Sequence, residues 1–375
     1  ANPARVCRHF SISLGYQYPR VHGSGPGWCR WHRVATVSLS QRSGVATSQP
    51  DPDCHSRRRY DQRMGFGEST RGHHLTGFSV QDAFDAYEAV RHRLPQTRST
   101  ELSYRQADTL EDIAHEFDVF LLDAFGVLNI GDTAIPGTPD RVRSLKGAGK
   151  RVLVVSNAAG FPHATLLEKY TRLGYDFAPQ DVITSRVTLL SELNGQSELH
   201  WGLMATPSAG LRDLEGLKLS YLEDDPKPYE TVDGFLLIGS AVWTESRQAM
   251  LEAALLERPR PVLVGNPDIV APREYGFSKE PGLYAHRLAD RTGVAPQFFG
   301  KPFANIYDIA FQRLGHIDKP RVLMVGDSLH TDILGAREAG IASALISGYG
   351  FFAGHDVEAA IMKAGIAPNV VLNRP

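Results

Sequence analysis

After Cys54 the chain has no cysteine; Cys7, Cys29 and Cys54 are its only three. No disulfide can therefore staple the remaining length, and no thiolate can act in its chemistry, a usage that fits a reducing compartment. Long apolar runs are also missing. Val152-Leu153-Val154-Val155 is only strand length, and nothing in the sequence is long enough for a bilayer-spanning helix. An excess of either charge is absent, with 40 Lys and Arg against 42 Asp and Glu for a formal net charge of -2. That balance gives no global pull towards nucleic acid or an anionic membrane. Fourteen histidines are present, yet none in the body of the chain pairs at metal-ligand spacing.

Acidic residues are missing from the first fifty positions, the first being Asp51. Residues 1–75 are rich in Arg, Ser, His and Gly and hold no amphipathic period. Such a composition cannot offset the entropy of ordering, so it reads as a disordered or extraneous leader, with Met64 as an alternative start. Two functional readings stand beside that one. An organelle transit segment would be Arg- and Ser-rich and acid-poor, and a basic arm would contact polyanions. Cys54-His55 lacks zinc-site spacing. The expected location is cytoplasmic, or the mitochondrial matrix if residues 1–63 are a real transit segment.

Residues 76–116 read as a helical lead-in. Phe84, Tyr87 and Val90 recur at helical spacing over 80–94, and Leu110 and Ile113 mark a second helix over 101–115. Both should pack on the domain that follows. From Phe117 the pattern becomes α/β. A buried-type strand, Val119-Phe120-Leu121-Leu122, ends at Asp123. A helix over 140–148, a strand over 151–155 ending at Ser156-Asn157, and a helix over 164–173 come next. This alternation predicts a parallel sheet with crossover helices, whose ligands bind at the carboxyl ends of the strands. Residues 117–195 form its first part and 280–375 its second. Between them, 196–279 carries strands at 234–239 and 261–265 around a helix at 244–257, an inserted α/β unit. The returning part holds helices at 282–292 and 306–314, a strand at 322–325, and a helix at 333–339.

Four pieces carry the chemistry. They are Leu121-Leu122-Asp123-Ala124-Phe125-Gly126-Val127-Leu128, then Val155-Ser156-Asn157, then Gly300-Lys301-Pro302, and finally Val325-Gly326-Asp327-Ser328-Leu329-His330-Thr331-Asp332. A carboxylate held at a strand end can attack phosphorus and form an aspartyl-phosphate. The transferring group spreads negative charge over its oxygens, so donors and positive charge must surround it. Lys301 can supply the charge, and Ser156 with the backbone near Asn157 the donors. Two carboxylates beside a phosphate call for a cation, and Asp327 suits Mg²⁺, which favours a few carboxylates plus water and phosphate oxygens. Asp332, five residues on, would hold a metal-bound water or orient Lys301. Asn266 and Asp268 either support the site or merely make a turn. His330 reads as an exposed side chain beside it.

In order and context these pieces resemble the haloacid dehalogenase superfamily. The nearest likeness is its class IIA branch of 4-nitrophenylphosphatase- and phosphoglycolate-phosphatase-like proteins. Pro136-Gly137, Thr184-Ser185 and Gly265-Asn266-Pro267-Asp268 extend the match from about Asp118 to Gly350. The resemblance implies a Rossmann-like parallel-sheet core with an inserted α/β cap of the C2 type. It also implies a Mg²⁺ site at Asp123, Asp327 and the backbone carbonyl of Phe125.

One position departs from that family. Its phosphatases carry a second Asp two residues after the nucleophile, which protonates the leaving oxygen and then activates water. Here the position is Phe125. Three readings follow. The first is a Mg²⁺-dependent hydrolase of a small phosphorylated metabolite that finds its acid elsewhere or uses an easily expelled leaving group. The second is a pseudoenzyme that binds a phosphorylated ligand without turnover. The third is a dehalogenase, whose first motif has an aromatic residue here. No nucleic-acid or membrane partner is expected, and a homo-oligomer is compatible with the sequence.

Overall fold

The computed structural model describes residues 78–97, 102–273 and 276–375. The expected leader over 1–75 lies outside these residues. The first helix, α1 (Val80–Ala89), starts where Ser79 caps the Asp82 amide and the Asp82 carboxylate returns the bond to the Ser79 amide. Its Phe84 and Tyr87 are buried, as their spacing predicts.

The core strands then appear in order, β1 (Arg105–Ala107), β2 (Val119–Leu122), β5 (Arg151–Ser156) and β6 (Val182–Thr184), with the separate antiparallel pair β3 (Asn129–Ile130) and β4 (Thr133–Ala134) between β2 and β5. Helices Thr138–Gly147 and His163–Arg172 make the crossovers. The second unit adds β7 (His200–Met204), β8 (Lys218–Tyr221), β9 (Gly234–Leu237), β10 (Val262–Val264), the hairpin β11 (Val270–Arg273) with β12 (Gly276–Lys279), and β13 (Gln297–Phe298). The chain returns through helix Ala304–Leu314 to β14 (Val322–Gly326), β15 (Ala342–Ile346) and β16 (Val370–Leu372).

The core is one parallel sheet of order β1-β16-β15-β14-β2-β5-β6. Helices cover both faces, so its central strands must be apolar throughout. In β2, Phe120 and Leu122 face one cluster with Val152, Val154 and Tyr170, while Val119 and Leu121 face the other with Leu153, Val155 and Ile306. Each large side chain buried there contributes about 1.5–3 kcal/mol. The result is a rigid strand between β14 and β5 whose carboxyl end presents Asp123. The second sheet is also parallel, of order β13-β10-β9-β7-β8, and makes the inserted cap.

Two expectations from sequence need correction. The helix expected over 101–115 is instead β1 followed by the short helix Leu110–Ile113, capped by Thr109. Arg105-Gln106-Ala107 has no helical apolar period, and pairing with Val370–Leu372 from the far end of the chain decides its form. The return from the insertion also falls later than residue 280. Helix Pro281–Thr292 packs Tyr284, Ala285 and Leu288 against Leu251 and Leu255 of helix Glu245–Glu257, and β13 pairs with β10. The cap's packing therefore runs on to Phe298, because this helix buries its apolar face against cap rather than core.

Candidate active site

Asp123 leaves β2 with its amide bonded to the Val325 carbonyl of β14, so the backbone is held up to the residue itself. Lys301 stands beside it on the turn that re-enters the core. Its ammonium is 1% exposed and lies 2.6 Å from Asp123 Oδ1 and 2.7 Å from Asp332 Oδ1. Burial alone would lower the Lys301 pKa, but the Asp123 and Asp332 carboxylates overcome it and hold the charge firmly in place. Gly300 makes this turn possible. Its φ is +131°, and a Cβ there would sit 2.0 Å from Ser185 Oγ and 2.5 Å from Asn157 Oδ1.

Asp332 is wholly buried and fully committed. Oδ1 accepts from Lys301, and Oδ2 accepts from the amides of Asp327 and Ser328 at 3.1 Å each. Asp327 in turn accepts from the Phe351 amide at 2.8 Å. Between them the chain makes one π-helical turn, Leu329–Ile333, an i to i+5 widening often found at functional sites. Oxygens of Asp123, Asp327 and Asp332 lie within 4.8 Å of one another. Two buried carboxylates and the partly buried one of Asp123 thus face a single ammonium. Burial raises the Asp123 carboxyl to about 7, with Lys301 opposing and Asp332 adding to the rise. Burial, then Asp332 and Asp123, raise Asp327 well above the usual range. This uncompensated negative charge in a dry pocket, presented entirely by hard oxygens, fits a divalent cation.

Ser156, at the end of β5, is buried and its Oγ accepts from the Ala158 amide at 3.3 Å. The Asn157 side chain has a part of its own, beside the donor role expected of the backbone here. Its side-chain amide donates to Asp268 Oδ1 at 2.7 Å and to the Lys301 carbonyl at 2.9 Å. Its Oδ1 accepts from the Lys301 amide at 2.8 Å and the Ser185 hydroxyl at 2.9 Å. The side chain is spent on fixing the Lys301 turn, so only its backbone is left for a substrate. Asn266 likewise shapes a turn, accepting from the Asp268 amide and donating to Glu280. Asp268 is partly exposed near this group, and burial raises its carboxyl to about 8.

Phe125 is partly buried against the core cluster. Lys169 of the core lies 5.2 Å above its ring and Arg273 of the cap hairpin 5.1 Å. Neither cation was marked by any sequence motif; only the approach of the cap to the core brings them together. His330 is the clearest departure from expectation. It is 1% exposed, stacked on Tyr87 at 5.0 Å, and its Nε2 lies 2.5 Å from Glu88 Oε1. Helix α1 covers it, and nothing local in the sequence could have revealed that.

With this geometry established, comparison with known proteins gives the family. Residues 120–207 match the model of the haloacid dehalogenase-like hydrolases, and residues 298–373 match that of the HAD-hydrolase-like family. The chain carries haloacid dehalogenase-like hydrolase domains over these residues. The two matched stretches of this hydrolase bracket the cap and contain Asp123, Ser156, Lys301, Asp327 and Asp332. An acid sugar phosphatase of Staphylococcus aureus is 27% identical over 230 residues, 60% of this chain and 85% of that protein. A structure from Cytophaga hutchinsonii described as a possible sugar phosphatase superposes with a TM-score of 0.64 at 22% identity, covering 72% of this chain and 98% of that one. The magnesium complex of a glycerol phosphate phosphatase from Mycobacterium tuberculosis gives a TM-score of 0.52 at 26% identity, covering 63% and 69%. Among the described residues no helix is long and apolar enough to cross a membrane.

Proposed function

We propose that this hydrolase is a Mg²⁺-dependent phosphatase that acts on small phosphorylated metabolites through an aspartyl-phosphate on Asp123. The observation that carries the reading is Lys301, fixed between Asp123 and Asp332 with Asp327 alongside. Similarity to an acid sugar phosphatase supports it.

An Asp123 oxygen attacks phosphorus in line, and the bond to the leaving oxygen breaks. Water then attacks the aspartyl-phosphate, releasing phosphate and restoring the carboxylate. Lys301 offsets the negative charge on the transferring group, and the Ser156 hydroxyl with nearby amides donates to its oxygens. Asp332 keeps Lys301 aimed at Asp123. Asp123, Asp327 and the Phe125 carbonyl would hold Mg²⁺, which supplies charge neutralisation between carboxylates and phosphate. Phe125 can neither protonate a leaving oxygen nor activate water. Substrates whose leaving groups depart as stable anions, aryl and acyl phosphates, therefore suit the site best.

The specific observation favouring a second reading, a binding protein without turnover, is the same Phe125. A metal-binding carboxylate cluster is not required for dehalogenation, and the similar proteins named above are phosphatases, so that third reading recedes. The deciding experiment assays 4-nitrophenyl phosphate, acetyl phosphate and sugar phosphates with Mg²⁺ present, alongside Asp123→Asn. Turnover of the first two, lost in Asp123→Asn, is the expected result. Bound Mg²⁺ with no turnover of any ester would leave the binding protein in place of the enzyme.

A further inference from the structure

We infer that helix α1 belongs to the working site, with Tyr87 and Glu88 acting as positioning residues that hold the turn bearing Asp327 and Asp332. This rests on the reading of those carboxylates as part of a Mg²⁺ site. Helix α1 precedes both stretches that match the family models, which begin at residue 120. Its contacts are therefore additions to what the shared pattern explains.

Tyr87 is 2% exposed and meets three segments at once. Its ring stacks on His330 at 5.0 Å with an interplanar angle of 9°. It also meets the Phe351 ring edge-on at 6.2 Å, and the Phe351 amide is the donor to Asp327. Its hydroxyl accepts from the Ile269 amide at 3.1 Å, directly after Asp268. The residue thus backs both backbone segments that fix Asp327, and the turn that presents Asp268. Phe84 meets the His330 ring edge-on at 5.2 Å.

Glu88 adds direction to this packing. Its Oε1 lies 2.5 Å from His330 Nε2. His330 sits within the π-helical turn, two residues before Asp332 and three after Asp327. An aliphatic side chain would fill the same niche without the cost of burying an imidazole. A histidine bonded to Glu88 instead fixes the ring's orientation, and with it the backbone that carries both carboxylates. Three residues beyond the C-cap of α1, Val90, Arg93 pairs with Asp290 of cap helix Pro281–Thr292. The lead-in therefore grips the turn bearing Asp327 and Asp332, the entry to the β11–β12 hairpin and the cap helix Pro281–Thr292.

The test is titration calorimetry of Mg²⁺ into the full chain, with melting temperatures recorded for every variant. Glu88→Ala removes the polar anchor and leaves the apolar packing. Glu88→Gln removes the same charge but can keep the hydrogen bond. Glu88→Ala should weaken Mg²⁺ binding by about three- to tenfold, and Glu88→Gln should stay within about twofold of wild type, a span typical of indirect coupling. Tyr87→Leu should weaken binding at least as much as Glu88→Ala. Equal Mg²⁺ affinity in wild type and Glu88→Ala would overturn the inference, whatever happens to the melting temperature. Equal weakening by Ala and Gln would also overturn it, since lost charge alone would then explain the effect. Absence of any Mg²⁺ binding in wild type would overturn the metal reading and this inference together.

Discussion

At the scale of single residues, the proposed chemistry turns on Phe125. An acid in its place assists by roughly 10²- to 10⁴-fold in general acid–base catalysis. Without it, the rate should depend steeply on how readily the leaving group departs. Aryl and acyl phosphates should react, and alkyl phosphates such as sugar phosphates far more slowly. Phe125→Asp should selectively raise the alkyl rates, by about 10²-fold where the carboxylate reaches the leaving oxygen. Lys169 and Arg273, already above the ring, would offset the cost of placing a carboxyl group in this partly buried niche. Steady-state kinetics on matched aryl and alkyl esters, with melts to establish folding, check this. A wild type that hydrolyses both classes equally well, beside a folded Phe125→Asp with no gain, would mean that another acid already serves. Asp268 would then be the residue to vary, since burial lifts its carboxyl to about 8 and keeps it protonated at neutral pH. At the same scale, Asp327→Asn should sharply weaken Mg²⁺ binding by calorimetry, because it removes one of the three clustered carboxylates.

At the scale of elements, the turn Gly350–Phe352 holds Asp327 through the Phe351 amide. Gly350 has φ +73°, and a Cβ there would lie 1.9 Å from Asp327 Oδ2. Gly354 has φ +76° but open space around it. The pair separates backbone strain from crowding of the site. Gly354→Ala should cost about 1–2 kcal/mol of stability and leave Mg²⁺ affinity unchanged. Gly350→Ala should cost at least as much and also reduce Mg²⁺ affinity by about tenfold or more, as Asp327 is forced from its place. Denaturant titration and calorimetry on both variants decide it; equal Mg²⁺ affinity in the two would show that Asp327 tolerates the displacement.

At the scale of the whole molecule, stability should depend on pH through a group far from the chemistry. His286, on the cap helix Pro281–Thr292, is buried and stacked on Phe298 at 4.8 Å. Neither ring nitrogen finds a protein partner. Burial pushes its pKa down to about 4, with Arg93 and His92 adding to the fall and Asp290 opposing. The unfolded chain therefore takes up this proton first as pH falls. Stability is intact above about pH 6.5, declines below it, and has lost this contribution fully by about pH 4. The loss is on the order of 3 kcal/mol at most. Urea unfolding at pH 7 and pH 4.5 should show a smaller difference for His286→Leu than for wild type. Identical pH dependence in the two proteins would locate the proton uptake elsewhere.

The sequence by itself determined the parallel core and the order of its chemical groups. Both follow from local rules. A strand buried on both faces must be apolar, and Asp123, Ser156 and Asp327 each stand where such a run stops. The Gly-Lys-Pro turn announced Lys301 only through its place in that order. Tertiary structure decided the rest. Residues 105–107 became a strand because β16, at the far end of the chain, offered them an edge. The cap kept helix Pro281–Thr292 because Leu251 and Leu255 had an apolar face to bury. The Asn157 side chain became an anchor because Lys301, Ser185 and Asp268 converge on it. His330 went from surface to interior when α1 folded over it. Most of these contacts join residues more than a hundred positions apart, the exceptions being the Asn157–Ser185 bond and the packing of helix Pro281–Thr292 on Leu251 and Leu255. Only packing of the whole chain could bring them together.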